Sequence, residues 1–304
     1  MRWLCTFVLC VGLAVSKNPE ENEGIHDPDL YEGDMILTAQ QRMAAELGLD
    51  MDAPFGRASI KNKRWPKGVM AYVIDSTLLI NSRAMNAIKA GMQEWTSKTC
   101  IRFKPRTNEA AYAIFRIGKG CSSHVGRIGR SQNINLARGC WYKGIVAHEI
   151  GHALGFYHEQ SRPDRDKYVT ILWQNIEERA KHNFNKYGRQ TIDSLGTKYD
   201  YGSVMHYGSK AFSKNKQPTI VAKQAGVAFG QRKAISITDA KQMNLLYSRC
   251  TDNGGSGGGG GGSCKDNPRY AKNCTFWKTR YCKSKSLHSG KHVKYYLIVG
   301  REKE

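Results

Sequence analysis

The chain has 304 residues, of which 40% are hydrophobic, and 47 lysines and arginines against 26 acidic residues give a formal net charge of +21. This length accommodates one large domain with appendages, and the hydrophobic fraction is sufficient to bury a sizeable core. The charge alone would fit a nucleic-acid-binding protein, but the sequence has no recognisable binding motif of that kind, so we exclude this class. No stretch after residue 16 is long and apolar enough for a membrane anchor.

Residues 1–16 have the features of a secretory signal peptide. Arg2 precedes an apolar run from Leu4 to Val15, and the small residues Ala14 to Ser16 form a cleavage signal. The run is too short to anchor the chain in a bilayer. We therefore predict that the mature protein is secreted and extracellular.

Residues 17–57, which we call the acidic segment, differ in composition from the rest of the chain. Ten acidic residues against three basic ones give this segment a net charge of −7, whereas residues 58–304 carry +27. An acidic segment before a strongly basic remainder suggests a propeptide that inhibits by electrostatic complementarity. A solvated linker would have the same composition.

The pattern of apolar residues predicts a mixture of strands and helices, an α+β fold. A helix is predicted from Asn81 to Lys98, begun by an Asn or Ser cap, and a C-terminal helix from roughly Thr238, as its cap, to Tyr247. A further helix opens near Gly144. The predicted strands are Val69–Ile74, Ile101–Phe103, Tyr112–Ile117 and Asn133–Leu136.

The stretch from His148 to His158 carries the chemistry of the sequence. On a helix, His148 and His152 are four residues apart, so both imidazoles project from one face and can bind one metal ion. Glu149 follows the first histidine, which places its carboxylate beside the open position of the metal. Gly155 can adopt the left-handed conformation that ends a helix, so that His158 arrives as a third ligand from outside it.

Three neutral histidines with an open position are typical of a catalytic zinc ion, because structural zinc sites are closed. The alternative is a chance HExxH sequence in an amphipathic helix whose histidines belong to the core. In the longer pattern HExxHxxGxxH, the glycine and the third histidine fall where the geometry requires them. We therefore predict one Zn²⁺ ion bound by His148, His152 and His158.

HExxHxxGxxH is the metzincin signature, and the residues that follow it resemble the astacin branch of that group. Phe156 and the stretch from Glu159 to Arg165 carry this resemblance, and Ser203 to Tyr207 is similar to the SxMHY Met-turn of the branch. The resemblance covers roughly Trp65 to Cys250, within a catalytic domain that we place at residues 58–250. It implies a two-subdomain metzincin fold with a twisted mixed sheet, an active-site helix and a Met-turn, and an edge strand that pairs with extended substrates.

The resemblance also implies roles for residues after the zinc motif. Tyr207 is expected to be a fifth zinc ligand that swings away to bind the oxyanion of the reaction, and Met205 an apolar support beneath the site. Glu159 is expected to have a structural role, receiving the N-terminus that activation frees. The segment Gly230 to Arg232 resembles an element that reads an acidic residue just after the scissile bond, so Arg232 is a candidate substrate-binding residue, with a solvated arginine as the alternative.

Latency is predicted from the acidic segment. Tyr31 to Asp34 resembles the FxGD switch of astacins, with tyrosine in place of phenylalanine, and implies that Asp34 occupies the open position of the zinc in a zymogen. Activation would require cleavage near Arg57 or after Lys63 and Arg64. We favour Arg57, because a chain that began at Trp65 would have little length with which to reach Glu159.

The nine cysteines fall into three groups. Two leave with the signal peptide, and the four in the catalytic region permit three disulfide pairings. The resemblance implies the pairs Cys100 with Cys250 and Cys121 with Cys140, which an oxidising compartment would maintain. A second metal site is the alternative, and it lacks any close Cys-x-x-Cys spacing.

Residues 251–263 form a Gly/Ser linker, and residues 264–304 a partial module that resembles the start of an ShK toxin-like (ShKT) domain. Only three of its six cysteines are present, Cys264, Cys274 and Cys282, so at least one thiol stays unpaired. From residue 251 on, the net charge of +7 favours contact with an acidic matrix or with glycans, and a disordered basic tail is the alternative. Asn273 begins the single glycosylation sequon that we find.

Taken as a whole, the sequence predicts a secreted zinc endopeptidase that is made as a zymogen and acts on proteins or peptides. Water activated by zinc attacks the peptide carbonyl, and Glu149 is the general base. A non-catalytic secreted binding protein is one alternative, against which Glu149 and the three histidines argue. Another metzincin branch is the second, but the acidic segment has no cysteine-switch sequence.

Overall fold

A seven-stranded mixed sheet organises the part of the chain that the computed structural model describes, which comprises residues 22, 27–46, 49, 51, 64–188 and 192–248. The strand order is β1-β2-β6-β7-β5-β3-β4, in which the pairs β1–β2 and β6–β7 are antiparallel and the others parallel. The strands are β1 (Leu30–Tyr31), β2 (Met35–Ile36), β3 (Val69–Ile74), β4 (Arg102–Pro105), β5 (Ala113–Arg116), β6 (Cys121–His124) and β7 (Gln132–Leu136).

The chain divides into two units, residues 1–253 and 254–304, and every described residue lies in the first. The predicted signal peptide, Arg57, Cys250, the linker and the ShKT-like tail lie outside the described residues. No helix in the described ranges is long and apolar enough to cross a membrane.

The α+β prediction is confirmed, and most predicted strands lie within one or two residues of those observed. β3 has the bounds that its β-branched and apolar run predicts. β6 was not predicted, and neither were the two short strands of the acidic segment, β1 and β2. These two strands extend the sheet beyond β6, so residues outside the predicted catalytic domain belong to the same sheet.

Five helices accompany the sheet in the described ranges. α3 begins as predicted, because the Asn81 side chain accepts a hydrogen bond from the N–H of Ala84. The predicted cap of the last helix, Thr238, is wrong by two residues: Ser236 is the cap, and it forms a capping box with Asp239. The helices are α1 (Ala39–Glu46), α2 (Ser76–Leu79), α3 (Ser82–Lys98), α4 (Lys143–Leu154) and α5 (Ile237–Leu246).

α4, which carries the zinc motif, packs closely against α3. A Cβ atom added to Gly91 of α3 would lie 2.7 Å from the Cγ1 atom of Val146, so only glycine permits this approach. Further along the same face, the indole N–H of Trp95 donates to the carbonyl of Ala147 at 2.8 Å. Every residue of α4 from Gly144 to Leu154 is buried. The motif helix is therefore fixed in the core before any ligand is considered.

The chain after α4 forms a second, smaller region around its own apolar cluster. A two-stranded antiparallel sheet, β8 (Val169–Ile171) and β9 (Ile220–Ala222), lies in this region together with several 3-10 helices. Phe184 and Tyr207 are buried in its cluster. The predicted fold has two subdomains. The first consists of the main sheet with α3 and α4, and the second is the region after α4.

One disulfide closes within the described residues. Cys121, at the start of β6, is bonded to Cys140, which is the pairing that the resemblance implies. Cys100 is disulfide-bonded as well, and its expected partner, Cys250, lies outside the described residues. The Cys121–Cys140 bond ties β6 to the 3-10 turn before α4.

Candidate metal centre and active site

The end of α4 brings the three histidines of the motif together. His148 and His152 lie on one face of α4, which ends at Gly155, where φ is +114°. This left-handed conformation favours glycine, and the Gly155 N–H donates to the carbonyls of Gly151 and His152. The chain then turns back, and His158 approaches the first two rings from outside the helix, with its ring centroid 4.8 Å from that of His152.

Backbone carbonyls orient the two histidines of α4. The Nδ1 atom of His148 lies 2.8 Å from the carbonyl oxygen of Val204, and the Nδ1 atom of His152 lies 2.8 Å from that of Phe156. A carbonyl can only accept, so each Nδ1 carries the proton and each Nε2 has a lone pair. The two Nε2 atoms are 3.1 Å apart. Two lone pairs this close repel each other unless a cation lies between them.

His158 is oriented by a carboxylate of the acidic segment. Its Nδ1 atom lies 2.6 Å from an oxygen of Glu32, which is 1% exposed, and the other oxygen of Glu32 accepts a hydrogen bond from the Ser161 hydroxyl at 3.0 Å. The Nε2 atom of His158 therefore also faces the centre of the cluster. Glu32 was not among the predicted site residues.

Asp34 completes the cluster. One of its oxygens lies 3.1 Å from the Nε2 atoms of both His148 and His158, and the other lies 3.4 Å from that of His152. Burial alone would raise the pKa of Asp34, but His158 and His152 hold it well below the usual range of a carboxyl group. Burial opposes a charge on His158 too, yet Asp34 and Glu32 raise the pKa of His158 to about 9.

The four residues fit a zinc ion. One donor atom from each of Asp34, His148, His152 and His158 lies within 4.8 Å of the others, and all four residues are buried. Three imidazole nitrogens and one carboxylate oxygen are a ligand set that tetrahedral zinc accepts. The negative field that favours a proton on His158 also favours a divalent cation, so the site is suited to a metal on electrostatic as well as geometric grounds.

Glu149 and Met205 lie beside the cluster. Glu149 follows His148 on α4 and is completely buried. Met205 is 1% exposed, and its sulfur would lie only 2.8 Å from a Cβ atom on Gly151, so the Met-turn packs directly against the motif helix. The Met205 carbonyl also accepts a hydrogen bond from the N–H of Glu159 at 3.1 Å. The Met205 side chain thus provides an apolar packing contact to α4 at Gly151.

Tyr207 is directed toward the acidic segment. Its hydroxyl donates to the carbonyl oxygen of Glu32 at 2.5 Å, and its ring centroid lies 4.6 Å from that of His158. The side-chain amide oxygen of Gln160 accepts a hydrogen bond from the Tyr207 N–H at 3.0 Å, which fixes the backbone of the tyrosine. The hydroxyl is thus held near the cluster by a residue that belongs to the acidic segment.

The acidic segment is attached to the edge of the sheet on both sides of Asp34. After Asp34, β2 pairs with β6 in parallel, with Met35 opposite Ser123, and the Asp34 carbonyl accepts from the Ser123 N–H at 2.9 Å. Before it, the side-chain amide of Asn22 bonds both backbone groups of Cys121, at 2.6 and 2.7 Å, as a neighbouring strand would. The edge of β6 is therefore occupied from residue 121 onward.

Glu159 lines a cavity to which its neighbour His158 also contributes. The cavity has a volume of about 120 Å³, and Arg64, Glu159 and Asp239 are among the residues that line it. Glu159 accepts hydrogen bonds from Arg162 at 3.1 Å and from the N–H of Asp200 at 2.8 Å. Burial nevertheless raises the pKa of Glu159 to about 8, because it outweighs the effect of the Arg162 charge.

Arg232 lies next to the start of α4. Its guanidinium donates to the carbonyl of His206 at 2.8 Å, and its side chain is mostly buried. Its backbone touches Gly144 so closely that a Cβ atom there would lie 1.8 Å from the Arg232 carbonyl oxygen. The arginine is therefore part of the packed wall of the site in this structure.

Two contacts of the acidic segment were beyond the reach of sequence reasoning. Glu32 was part of the quoted switch sequence, but nothing in four residues indicates which side of His158 its carboxylate will meet. Asn22 lies outside every motif, and its contact with Cys121 spans 99 residues. The signal that could have drawn attention to Glu32 is its position two residues before Asp34.

The fold and the site together define a zinc peptidase of the metzincin class. Its features here are the mixed sheet, the motif helix with a left-handed end, the three converging histidines and the methionine that packs against that helix. Residues 57–248 match the model of the astacin peptidase family. The chain belongs to this family, and Asp34 with the three histidines forms its zinc-binding group.

Relatives with solved structures and curated descriptions agree with this assignment. The chain is 41% identical in sequence to high choriolytic enzyme 1, a hatching enzyme zinc-protease from medaka fish (Oryzias latipes), with a TM-score of 0.57 over 61% of this chain and 92% of that one. It is 44% identical over 238 residues to zinc metalloproteinase nas-15 of Caenorhabditis elegans, which is 75% of this chain and 41% of the relative. For meprin A subunit alpha of Rattus norvegicus, the identity is 40% over 226 residues, which is 73% of this chain and 28% of the relative. The chain thus spans less than half of the length of these two curated relatives.

Proposed function

We propose that the chain is a secreted zinc-dependent endopeptidase, made as a latent zymogen, that hydrolyses peptide bonds in proteins. The observation that carries this proposal is that the Nε2 atoms of three histidines converge on one point while an oxygen lies at the Nδ1 atom of each ring. The buried Glu149 directly follows the first of these histidines, His148. Zinc bound there would lower the pKa of a water molecule and polarise the carbonyl of the scissile bond.

Two side chains of the protein would carry the proton and the negative charge of the reaction. Glu149 accepts the proton of the attacking water and returns it to the amine that leaves. Tyr207 donates its hydroxyl proton to a carbonyl of the acidic segment in this structure. Once that segment is removed, the same hydroxyl can donate to the substrate oxygen as it gains negative charge.

The edge of β6 would bind the substrate as an extended strand. This edge already pairs with β2 and with the amide of Asn22, which supports its use as a backbone-recognition surface. Arg232 remains a candidate for an acidic substrate side chain after the scissile bond, and its guanidinium would need to turn from the carbonyl of His206 to reach one.

Latency would follow from Asp34, which occupies the position beside the three histidines that a water molecule needs. An activating protease would cleave near Arg57 and release the segment. Arg64 lines the cavity of Glu159, and Trp65 is 2% exposed, with its indole bonded to the carbonyl of Ala153. Because the buried Trp65 is an unsuitable cleavage position, the residues after Arg57 would supply the new N-terminus, and Glu159 would receive it.

Secretion is proposed from the signal peptide at residues 1–16. The basic tail, residues 264–304, is proposed to contact an acidic matrix or glycans on the basis of its charge alone. The four cysteines of the catalytic region are consistent with an oxidising compartment, since Cys121 and Cys140 are bonded to each other.

The proposal is tested with protein cleaved at Arg57 and a broad peptide library. We expect internal peptide bonds to be cleaved, the activity to be lost with a chelator, and zinc to restore it. Glu149→Gln keeps the size of the side chain and should bind zinc normally while losing at least about a hundredfold in kcat, the usual contribution of a general base. Glu178→Gln is the control, because the Glu178 side chain is exposed and pairs with Lys181 instead.

A protein that binds zinc and cleaves nothing in the library would contradict the proposal. In that case a non-catalytic binding protein would be the better description. Equal activity of wild type and Glu149→Gln would instead leave an endopeptidase but remove Glu149 as its base.

A further inference from the structure

Three apolar side chains of the acidic segment are buried in a pocket beside the zinc-binding group. Met35 is 0% exposed, Met51 1% and Leu37 7%. The residues that the predicted catalytic domain contributes to the same cluster are Val125, Tyr157 and Tyr187, and we call these three the aromatic pocket. Because all three follow residue 57, the aromatic pocket stays with the catalytic domain when the acidic segment leaves.

The aromatic pocket is fixed by the elements that fix the zinc ligands. Tyr157 lies between Phe156, whose carbonyl orients His152, and His158 itself. The rings of Tyr157 and Tyr187 lie 5.1 Å apart. The Tyr187 N–H donates to the carbonyl of Ser161 at 2.9 Å, so this tyrosine is tied to the segment that follows His158. The backbone of both tyrosines is therefore tied to the segment that carries His158, which stays with the catalytic domain.

The register of β2 on β6 explains why a side chain enters this pocket. Met35 is the partner of Ser123, and paired residues in a sheet direct their side chains to the same face. This relation holds for parallel and antiparallel partners alike. Val125 follows the end of β6 and lies in the same apolar cluster as Met35. Any extended peptide that pairs with Ser123 must direct one side chain toward the aromatic pocket.

We propose that the aromatic pocket is a specificity subsite that binds a large, flexible apolar side chain of the substrate, methionine or leucine, close to the scissile bond. The proposal rests on the endopeptidase function proposed above and adds a determinant of its specificity. The side chains that fill the pocket in this structure, two methionines and a leucine, identify the chemistry that it accepts. A charged side chain would lose its hydration against two aromatic rings and a valine.

The first test measures specificity in the protein cleaved at Arg57, with a library in which each position near the scissile bond is varied. We expect one position to prefer methionine and leucine over aspartate, lysine and glycine by about tenfold or more, as the burial of such a side chain implies. Tyr187→Ala should reduce that preference and leave preferences at the other positions unchanged. Tyr112→Ala is the matched control, because this half-buried tyrosine lies against Arg106 instead. A position-independent library profile in an active enzyme would overturn the inference and leave the proposed function intact.

The second test does not depend on catalysis. A synthetic peptide of residues 27–53 is titrated into zinc-loaded protein that is cleaved at Arg57 and carries Glu149→Ala, and its Kd is measured by calorimetry. Met35→Asp in the peptide should raise the Kd by about tenfold or more, because it places a charge in the aromatic pocket. Met43→Asp is the control, since Met43 is 48% exposed in the same segment and should change the Kd little. Equal Kd values for the two substituted peptides would contradict the inference, even if the enzyme proved inactive.

Discussion

Asp34 lies within hydrogen-bonding distance of two imidazoles and 3.4 Å from the third, and its carboxylate faces the Nε2 atoms of all three histidines. We predict that Asp34→Ala makes the uncleaved chain active toward peptides, by about ten- to a hundredfold over the wild-type zymogen, because a charge-assisted contact of about 1.5–3 kcal/mol is lost. The rate of peptide cleavage before any proteolytic processing is the measurement. Asp29→Ala is the control, as Asp29 is exposed in the same segment. A silent Asp34→Ala zymogen would show that the rest of the segment blocks the site by itself.

His206 is a buried histidine that remains neutral. Its Nε2 atom accepts from the Tyr199 hydroxyl at 2.7 Å, and its Nδ1–H donates to the carbonyl of Tyr207 at 2.7 Å. Burial lowers the pKa of His206 from 6.5 to about 4. Because the unfolded chain binds this proton first, stability is fully present above pH 6.5 and falls as the pH decreases toward 4.

We therefore predict that wild-type protein loses about 2–3 kcal/mol more stability between pH 6.5 and 4 than His206→Gln does, since one pKa unit corresponds to about 1.4 kcal/mol. Urea unfolding at a series of pH values gives both curves. Other groups titrate in both proteins, so only the difference between the curves reports on His206. Parallel curves would mean that folding does not lower the pKa of His206.

At the scale of single elements, Ser236 caps the N-terminus of α5, whereas Thr238 lies inside its first turn. The Ser236 side chain accepts from the N–H of Asp239 at 2.8 Å and donates to the carboxylate of Asp200. We predict that Ser236→Ala lowers the free energy of unfolding by about 1–2 kcal/mol, the usual effect of losing an N-cap. Thr238→Ala, inside the first turn, should cost less than half as much. Chemical denaturation of the two variants decides, and an equal effect would contradict the assignment of the cap.

The amide of Asn22 acts on β6 as a short substitute for a strand. It bonds the N–H and the carbonyl of Cys121 as well as the carbonyl of Gly33, the residue before Asp34. We predict that Asn22→Ala increases the rate at which the zymogen is activated, by about threefold to tenfold, since each neutral hydrogen bond is worth about 0.5–1.5 kcal/mol. Limited proteolysis with a trypsin-like protease measures this rate. Asn22→Asp retains the acceptor for the Cys121 N–H but sets a carboxylate oxygen against the carbonyls of Cys121 and Gly33, so it should increase the rate at least as much as Asn22→Ala does. No change in either variant would exclude the anchoring role.

The elements that the sequence predicts well are those with a strong local pattern. β3 is a run of β-branched and apolar residues, and α3 has an asparagine cap, so their limits follow from local chemistry. β6 has the sequence Cys-Ser-Ser-His, without alternation of apolar residues, and it is a strand because β7 and the acidic segment pair with it. The Ser236 cap was missed although Ser-Ile-Thr-Asp is a capping-box sequence, in which Thr238 was the less suitable choice.

In the zinc-binding group, too, some features have a local sequence signal and others have none. His148, His152, Gly155 and His158 are placed by helical geometry and one left-handed residue, and the structure brings the three histidines together as this pattern implies. The groups that orient the imidazole rings could not be predicted from the sequence. The carbonyl of Val204 reaches His148 from 56 residues away, and Glu32 reaches His158 from 126 residues away, so neither contact has a local signal. Such contacts depend on how the Met-turn and the acidic segment pack.

At the scale of the whole molecule, the metal should contribute to stability, because the buried histidines and carboxylate are suited to a cation that the unfolded chain cannot hold in the same geometry. We predict that chelation lowers the Tm of the zymogen by roughly 10 °C, as about 4 kcal/mol of binding energy at a thousandfold excess over Kd implies for a domain of this size. Scanning calorimetry with and without chelator measures the shift. In His158→Ala the shift should be much smaller, and an unchanged Tm in wild type would mean that metal binding and folding are not coupled.

In the zymogen proposed above, the contacts of Glu32 and Asp34 determine the background activity of the uncleaved chain. One short stretch of the acidic segment holds His158, the Tyr207 hydroxyl and the position beside the three histidines, so these groups become available together or not at all. The background activity of the uncleaved chain therefore measures how often that stretch lifts away. Each additional 1.4 kcal/mol or so of opening free energy should lower this background about tenfold. A sensitive peptide assay on the uncleaved chain would thus measure the population of a locally open state. That population is too small for most spectroscopic methods to detect.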